Sequence, residues 1–290
     1  MKFLTELIQP QALYELLDTR PLCYVMLSLL LFTVAKKAFD FATPYDLNHQ
    51  LTSVDNKAIA ISFTGHIIGI GLIIWGVLTL PGSPELGRDL MAMTAWSLLG
   101  IVLLILSGLM NNRFVLSHFD INKELVEDKN IGAGVVSAGA FISSALIIRS
   151  SLLAHEKSFM ASFGMVLLYF VIGQILMILY VRIFQAITRY DIHGEIEKGN
   201  TAAGVSLGLN LIAIGVLISS YLEENESLAG LGAWFLIGTA LLILSRYIVD
   251  KAILPGVLLD EEIKLDQNWG AALIEGGIAI MLSFILIATF

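Results

Sequence analysis

Cysteine is almost missing from this chain. Cys23 stands alone among 290 residues, which excludes an intramolecular disulfide and a thiolate metal cluster. Charge is scarce too. Asp, Glu, Lys and Arg make up 14% of the sequence, against roughly 25% in soluble domains. So little charge cannot clothe a water-facing surface, and a soluble globular protein is excluded. No basic and aromatic cluster is present to follow a nucleic acid, so no nucleic-acid partner is expected. Phosphate loops, nucleophile motifs, redox pairs and His-x-x-x-His spacings are absent as well. His49, His118 and His193 fall at non-equivalent places, so neither a metal ion nor a cofactor is expected. An enzyme is the minor reading, because it would need Glu275 and His66 to serve as acid and base on a membrane substrate. No catalytic residue is assigned.

What the chain has instead is apolar length. It is 57% hydrophobic, with a mean hydropathy of +0.81. Eight runs, near residues 21–39, 57–80, 90–112, 131–153, 158–184, 200–222, 228–250 and 268–290, are long enough to cross a bilayer as helices. The fold expected is therefore all-α and integral to the membrane, with eight transmembrane helices. Residues 1–20 carry apolar positions at helical spacing and lack the marks of a cleaved signal peptide. They are expected to be retained as an amphipathic segment along the interface.

The chain also repeats itself. TPYDLNHQLTSVDNKAIAISFTG, SHFDINKELVEDKNIGAGVVSAG, TRYDIHGEIEKGNTAAGVSLG and VLLDEEIKLDQNWGAALIEGG share the asparagines Asn56, Asn130, Asn200 and Asn268. A period of about seventy residues marks a repeated supersecondary unit, here one transmembrane hairpin. The hairpins are expected over 21–82, 83–155, 156–225 and 226–290. All four point the same way, so they are parallel repeats, arranged as a pseudo-fourfold ring or as two pairs.

Each motif predicts a short amphipathic helix before the even-numbered span, with apolar residues four apart as in Ile121/Leu125. Thr43/Asp46, Ser117/Asp120 and Thr188/Asp191 resemble capping boxes, and Pro44 suits a first helical position. The fourth copy has Pro255 and Leu258 at these places and needs another cap. Each asparagine stands where an N-cap is wanted. Four of them about one axis would also form a polar ring able to strip an ion of water. Beyond them every fourth residue is small, as at Gly204 and Gly208, which lets helices approach closely in lipid. The even-numbered helices are expected to form the inner layer.

Polar side chains at membrane depth are candidate sites. Glu275 lies in the last span beside Gly276 and Gly277, His66 in the second, Asn210 in the sixth and Gln174 in the fifth. His66 and Asn210 both lie ten residues after their asparagines, where the other copies have Ala140 and Ile278. That alternation implies a duplicated pair of hairpins. For Glu275 a structural carboxyl and a transport role stand side by side. For His66 a carbonyl-bonded structural histidine and a proton carrier do.

The asparagine followed by small residues, preceded by D-[LI]-x-x-[EQ]-[LI], resembles the bacterial inner-membrane family called domain of unknown function 350. YDIHGEIEKGNTAAGVSLG and FDINKELVEDKNIGAGVVSAG carry it most fully, and it extends over nearly the whole chain beyond residue 20. The resemblance implies a two-helix unit and supplies no activity or catalytic residues. It also implies gene neighbours resembling polyamine synthases and ATP-grasp enzymes, and hence a hint of envelope stress.

Orientation follows from basic residues. Twelve of the 17 lysines and arginines lie at the connections within hairpins, which places those connections in the cytoplasm and both termini outside. The expectation is a multi-pass inner-membrane channel or transporter for a small cation, a polyamine or another polar solute. The alternative is a non-conducting scaffold or sensor. It would dock a cytoplasmic protein through the acidic segment of Asp46, Asp120, Glu124, Asp191, Glu195 and Glu262. The bilayer is the one certain partner, and an oligomer is compatible with either reading.

Overall fold

The computed structural model describes residues 19–116, 120–153, 159–225 and 227–290. The expected amphipathic segment lies outside them except for its last two residues, as do Ser117 and His118. Among the described residues the only regular secondary structure is helix. Eight long helices span a membrane by length and composition: α1 (Arg20–Ala42), α3 (Lys57–Leu78), α4 (Leu86–Phe114), α6 (Ile131–Leu153), α7 (Phe159–Ile187), α9 (Thr201–Glu224), α10 (Leu228–Ile248) and α12 (Trp269–Thr289). Four six-residue helices precede the even-numbered spans: α2 (Leu47–Thr52), α5 (Ile121–Val126), α8 (Ile192–Glu197) and α11 (Leu259–Lys264). The apolar runs thus became the expected spans, and each motif became a short helix followed by a turn.

Local chemistry sets those turns. Asp55, Lys129, Gly199 and Gln267, each just before its asparagine, all take positive φ, from 48° to 83°. Only Gly199 does so without steric cost. The asparagine then caps the next helix: Oδ1 accepts from Ile59 N in the first copy, and from Ala133, Ala203 and Ala271 N in the others. The capping boxes need correction. Asp46 and Asp120 are themselves the N-caps of α2 and α5, and their carboxylates accept from His49 N and from Asn122 and Lys123 N. Asp191 occupies the same place with no side-chain bond. In the first and third copies the hydroxyl three residues earlier closes the preceding helix instead, Thr43 Oγ1 donating to Phe39 O and Thr188 Oγ1 to Gln185 O. Pro44 lies in the bend before α2 and not in its first turn.

The even-numbered spans form an inner row in the order α3, α6, α9, α12, and their mutual contacts are the most extensive in the molecule. The middle helices are the most enclosed, with 72% of the α6 window and 83% of the α9 window buried. Over this row lie α1, α4, α7 and α10. Of these, α4 covers the α3–α6 seam, α7 the α6–α9 seam and α10 the α9–α12 seam. The pseudo-fourfold ring is corrected here: α3 and α12 do not pack on each other, and the row is open at both ends. Nor does it fall into two loose pairs, since the central α6–α9 contact is the largest.

Small residues let the backbones meet, and they do so at the same three levels in successive seams. Near the asparagines, a Cβ on Gly134 would strike Ala58, and one on Gly204 would strike Gly132. Midway, Gly65 faces Ala138, Gly139 faces Gly208, and Leu209 faces Gly276. Farther on, Gly69 faces Ala145 and Gly215 faces Ser143. Lipid offers no hydrophobic drive for association, so this close backbone contact holds the row together.

Candidate functional site

The four asparagines do not form an ion-binding ring. Each spends its amide on the protein, and in the same pattern. Nδ2 donates to a side chain of its own short helix: Gln50 at 3.0 Å, Glu124 at 2.6 Å, Glu195 at 3.3 Å and Glu262 at 2.8 Å. In the first three copies it also reaches across the seam to the next short helix, at Leu125 O (2.8 Å), Ile196 O (2.5 Å) and Ile263 O (2.8 Å). Asn56, Asn130 and Asn200 are buried by this ladder, whereas Asn268 makes no cross-seam bond among the described residues and is exposed. The acidic segment divides accordingly. Glu124 and Glu195 are buried partners of the ladder and present no docking face, while Asp46, Asp120 and Asp191 remain exposed. Burial pushes the Glu195 carboxyl up, but bonds from Lys198 and Asn200 outweigh it and hold it below the usual carboxylate range. A carboxylate lowered in this way supports the fold at neutral pH and loses that contribution as pH falls through the lowered value.

Glu275 is the centre of a second, charged cluster, built by five helices. It sits in α12 with 1% of its surface exposed. From α9, Ser206 Oγ donates to Oε2 at 2.5 Å and Asn210 Nδ2 lies 3.5 Å from Oε1. Asn210 is held in turn by Ser206 O at 2.9 Å and by Tyr180 Oη of α7, which donates to its Oδ1 at 3.0 Å. From the last turn of α10, Arg246 pairs with Glu275 through Nη1 and with Asp260 of α11 through Nη2. The guanidinium also lies 5.3 Å from the Phe184 ring centroid, near enough for a cation–π contribution. Three residues beyond Arg246 the helix loosens into a π-turn, Val249–Ile253, a distortion frequent at functional sites.

The charges here do not balance. Two carboxylates share one guanidinium, and among the described ion pairs no second cation joins them. With all three groups ionised the cluster carries one net negative charge. Glu275 is the enclosed member of the pair, whereas Asp260 is half-buried at the cluster's outer edge and also accepts from Arg189 N at 3.1 Å.

The other candidate residues lie elsewhere. Gln174 belongs to a cluster between α4, α6 and α7, where Ser144 Oγ donates to its Oε1 at 3.2 Å and Asn111 Nδ2 reaches Ser144 at 3.4 Å. His66 is enclosed by aromatic rings, with Phe39 at 4.7 Å and Phe141 at 5.1 Å between centroids. Neither of its ring nitrogens has a hydrogen-bond partner among the described residues. The carbonyl-bonded histidine is therefore not what is found. Only Asn210 joins Glu275. Arg246, Asp260, Tyr180 and Ser206 escaped the reading of the sequence. An arginine near the end of a span ordinarily reaches for the headgroups, and hydroxyls such as those of Ser206 and Tyr180 are common inside spans. The one available signal was Arg246 standing in an otherwise apolar run.

The seams nevertheless alternate as the histidine–asparagine correspondence requires. In the α3–α6 seam Ser62 bonds Ser137 at 2.7 Å, with His66 one turn on. In the α9–α12 seam the same positions are Ser206, Glu275 and Asn210. Between them, at α6–α9, those positions are the apolar Val136, Leu207 and Ala140. Polar, apolar, polar is the order expected of two fused halves.

Comparison with known proteins gives the same division. The family model for Domain of Unknown Function (DUF350) matches residues 12–152 and again residues 158–290. Each match takes in two hairpins, so the matched unit is twice the length that the resemblance implied. A UPF0719 transmembrane protein of Aquifex aeolicus (strain VF5) is 21% identical over 262 residues, 88% of this chain and 94% of that protein. The UPF0719 transmembrane protein YshE of Bacillus subtilis (strain 168) is 27% identical over 120 residues, 41% of this chain but 88% of YshE. A relative so nearly covered by 120 residues is about the length of one half. No solved structure matches.

Proposed function

The chain belongs to the family described as Domain of Unknown Function (DUF350), and from that footing we propose that it carries a small monovalent cation, or a cationic or polar solute coupled to a proton, across the membrane at Glu275. The observation behind this is the uneven cluster of Arg246, Glu275 and Asp260, in which the fully buried Glu275 must share its one cationic partner with a second, half-buried carboxylate. A cation arriving at Glu275 would release Arg246 to Asp260 alone. Because Arg246 lies in the turn before the π-distortion and Asp260 in α11, that exchange would shift α10 and α11 against α12. An open channel is not the proposal, since the inner seams are closed and Asn56, Asn130 and Asn200 are buried with both amide hydrogens bonded to the protein. The membrane is taken to be a bacterial inner membrane, with the short helices on the cytoplasmic side and the termini outside, following the distribution of lysine and arginine.

A second reading is a non-conducting scaffold or sensor that holds a cytoplasmic partner. The tight packing around Glu275 and the exposed caps Asp46, Asp120 and Asp191 favour it. One experiment separates the two. In proteoliposomes, wild-type protein should pass protons, monovalent cations or polyamines, and Glu275→Gln should stop that flux while leaving the melting temperature nearly unchanged. If wild-type protein moves none of these, the carrier reading fails. The scaffold then stands, and neutralising the exposed caps should cost it its partner.

A further inference from the structure

We propose that this chain associates head to tail with a second copy of itself, the outer flank of α12 in one copy receiving the outer flank of α3 in the next. The inner row already contains this interface three times over, and its two free edges are complementary. At the tail, the exposed amide of Asn268 stands where Asn56, Asn130 and Asn200 each cross to the following short helix. At the head, Leu51 of α2 holds the register place of the receiving carbonyls Leu125, Ile196 and Ile263. The ladder has a donor without an acceptor at one end and the matching acceptor position at the other.

Backbone approach tells the same story. Setting the tail beside a new head, in the register of the internal seams, opposes Gly270 to Ala60, Gly277 to Thr64 and Met281 to Gly71. At the first two levels the pairs are as small as those of the inner seams, and at the third Gly71 leaves room for the flexible Met281 side chain. The tail glycines are vacant where their internal counterparts are filled. A Cβ on Gly277 would meet nothing within 4 Å, and one on Gly270 only its own Asn268. At the head, Gly71 meets only the tip of Phe32, at 3.6 Å.

Chemistry along the seam also continues in phase. After polar, apolar and polar seams, the new one would set Ile274 and Ile278 against Phe63, which is apolar as the alternation requires. The edges differ from each other, so this interface is heterologous, and repetition leads to a closed ring or an extended row. A face-to-face dimer through two tails would leave both donors of the ladder unmatched.

Cysteine pairing tests the arrangement, with Cys23→Ser removing the native thiol. Leu209→Cys with Gly276→Cys serves as the internal control, since that pair occupies the same level within one chain. Chains bearing Gly277→Cys and differently tagged chains bearing Thr64→Cys are co-expressed and oxidised in native membranes. Side chains at this level lie close enough to be linked after a small adjustment, about 3.5–4.5 Å between Cβ atoms being needed. The expected product joins the two tags, and each variant alone should give little disulfide. A Gly277→Cys product with itself would overturn the proposal in favour of tail-to-tail pairing. So would formation of the control bond with no product between chains, or capture of Thr64→Cys by a cysteine placed in residues 1–18 of the same chain. Native mass spectrometry of the unmodified protein gives a reading free of mutation. Oligomers that dissociate on Gly277→Leu support the interface, and a uniform monomer in mild detergent and in nanodiscs refutes it.

Discussion

Arg246→Met should destabilise the protein at neutral pH by about 3–5 kcal/mol, the cost of leaving a buried ion-pair partner uncompensated. Methionine fills much of the arginine's volume, so packing loss is the smaller part. What remains is Glu275, buried to 1% exposure, with Ser206 and Asn210 as its only polar company. Glu275→Gln should cost far less, because Arg246 keeps Asp260 and the amide keeps the hydrogen bonds. The double variant should recover much of what Arg246→Met alone loses, since neither a bare carboxylate nor a bare guanidinium is then buried. Lowering the pH should likewise rescue Arg246→Met, because a protonated Glu275 needs no counter-charge. Thermal melting of the four proteins in one detergent across a pH series provides the cycle. Additive losses, or a single Arg246→Met loss that is the same at every pH, would mean that the ion pair contributes little and that shape alone matters.

Gly204→Leu should be nearly as severe and should act by a different cause. Any side chain there would enter the backbone of Gly132, which cannot move aside as a flexible side chain can. Overpacking of this kind typically costs about 1–3 kcal/mol where neighbours can adjust. Here α6 and α9 would have to separate along the most extensive contact in the molecule, also stretching the bond from Asn130 to Ile196. Little folded protein should be recovered. Gly164→Leu on α7 is the matched control, since a side chain there meets nothing within 4 Å. Fluorescence-detected size exclusion on both variants reads the difference. Equal recovery would mean that small residues are not what holds the inner row.

The eight spans, their limits and the inner position of the even-numbered helices were legible in the sequence because apolar length and small-residue spacing are local signals. The arrangement of the row was not. Whether four parallel hairpins close into a ring or stay in line depends on the angle between seams, to which every residue contributes a little. The asparagines show the same limit. Their place as helix caps could be read directly, but the second hydrogen bond, from Asn56 to Leu125 for example, joins residues 69 positions apart. Glu275 stood out because a carboxylate is rare in such a run. Its partner Arg246 did not, since arginines near the ends of spans ordinarily reach for headgroups. The polar seam was visible only in outline, through the correspondence of His66 with Asn210.

Whether Glu275 takes up charge in the working protein is best read by difference infrared spectroscopy in reconstituted membranes. Wild-type protein, taken through a pH series and then exposed to sodium, potassium or a polyamine, should show a protonated-carboxyl band that appears with acid and shrinks as a cation binds. That band should be absent from Glu275→Gln. A spectrum in which no carboxyl band responds to pH or to any of these cations, with wild type and Glu275→Gln alike, would show a fixed structural carboxylate and contradict the carrier reading.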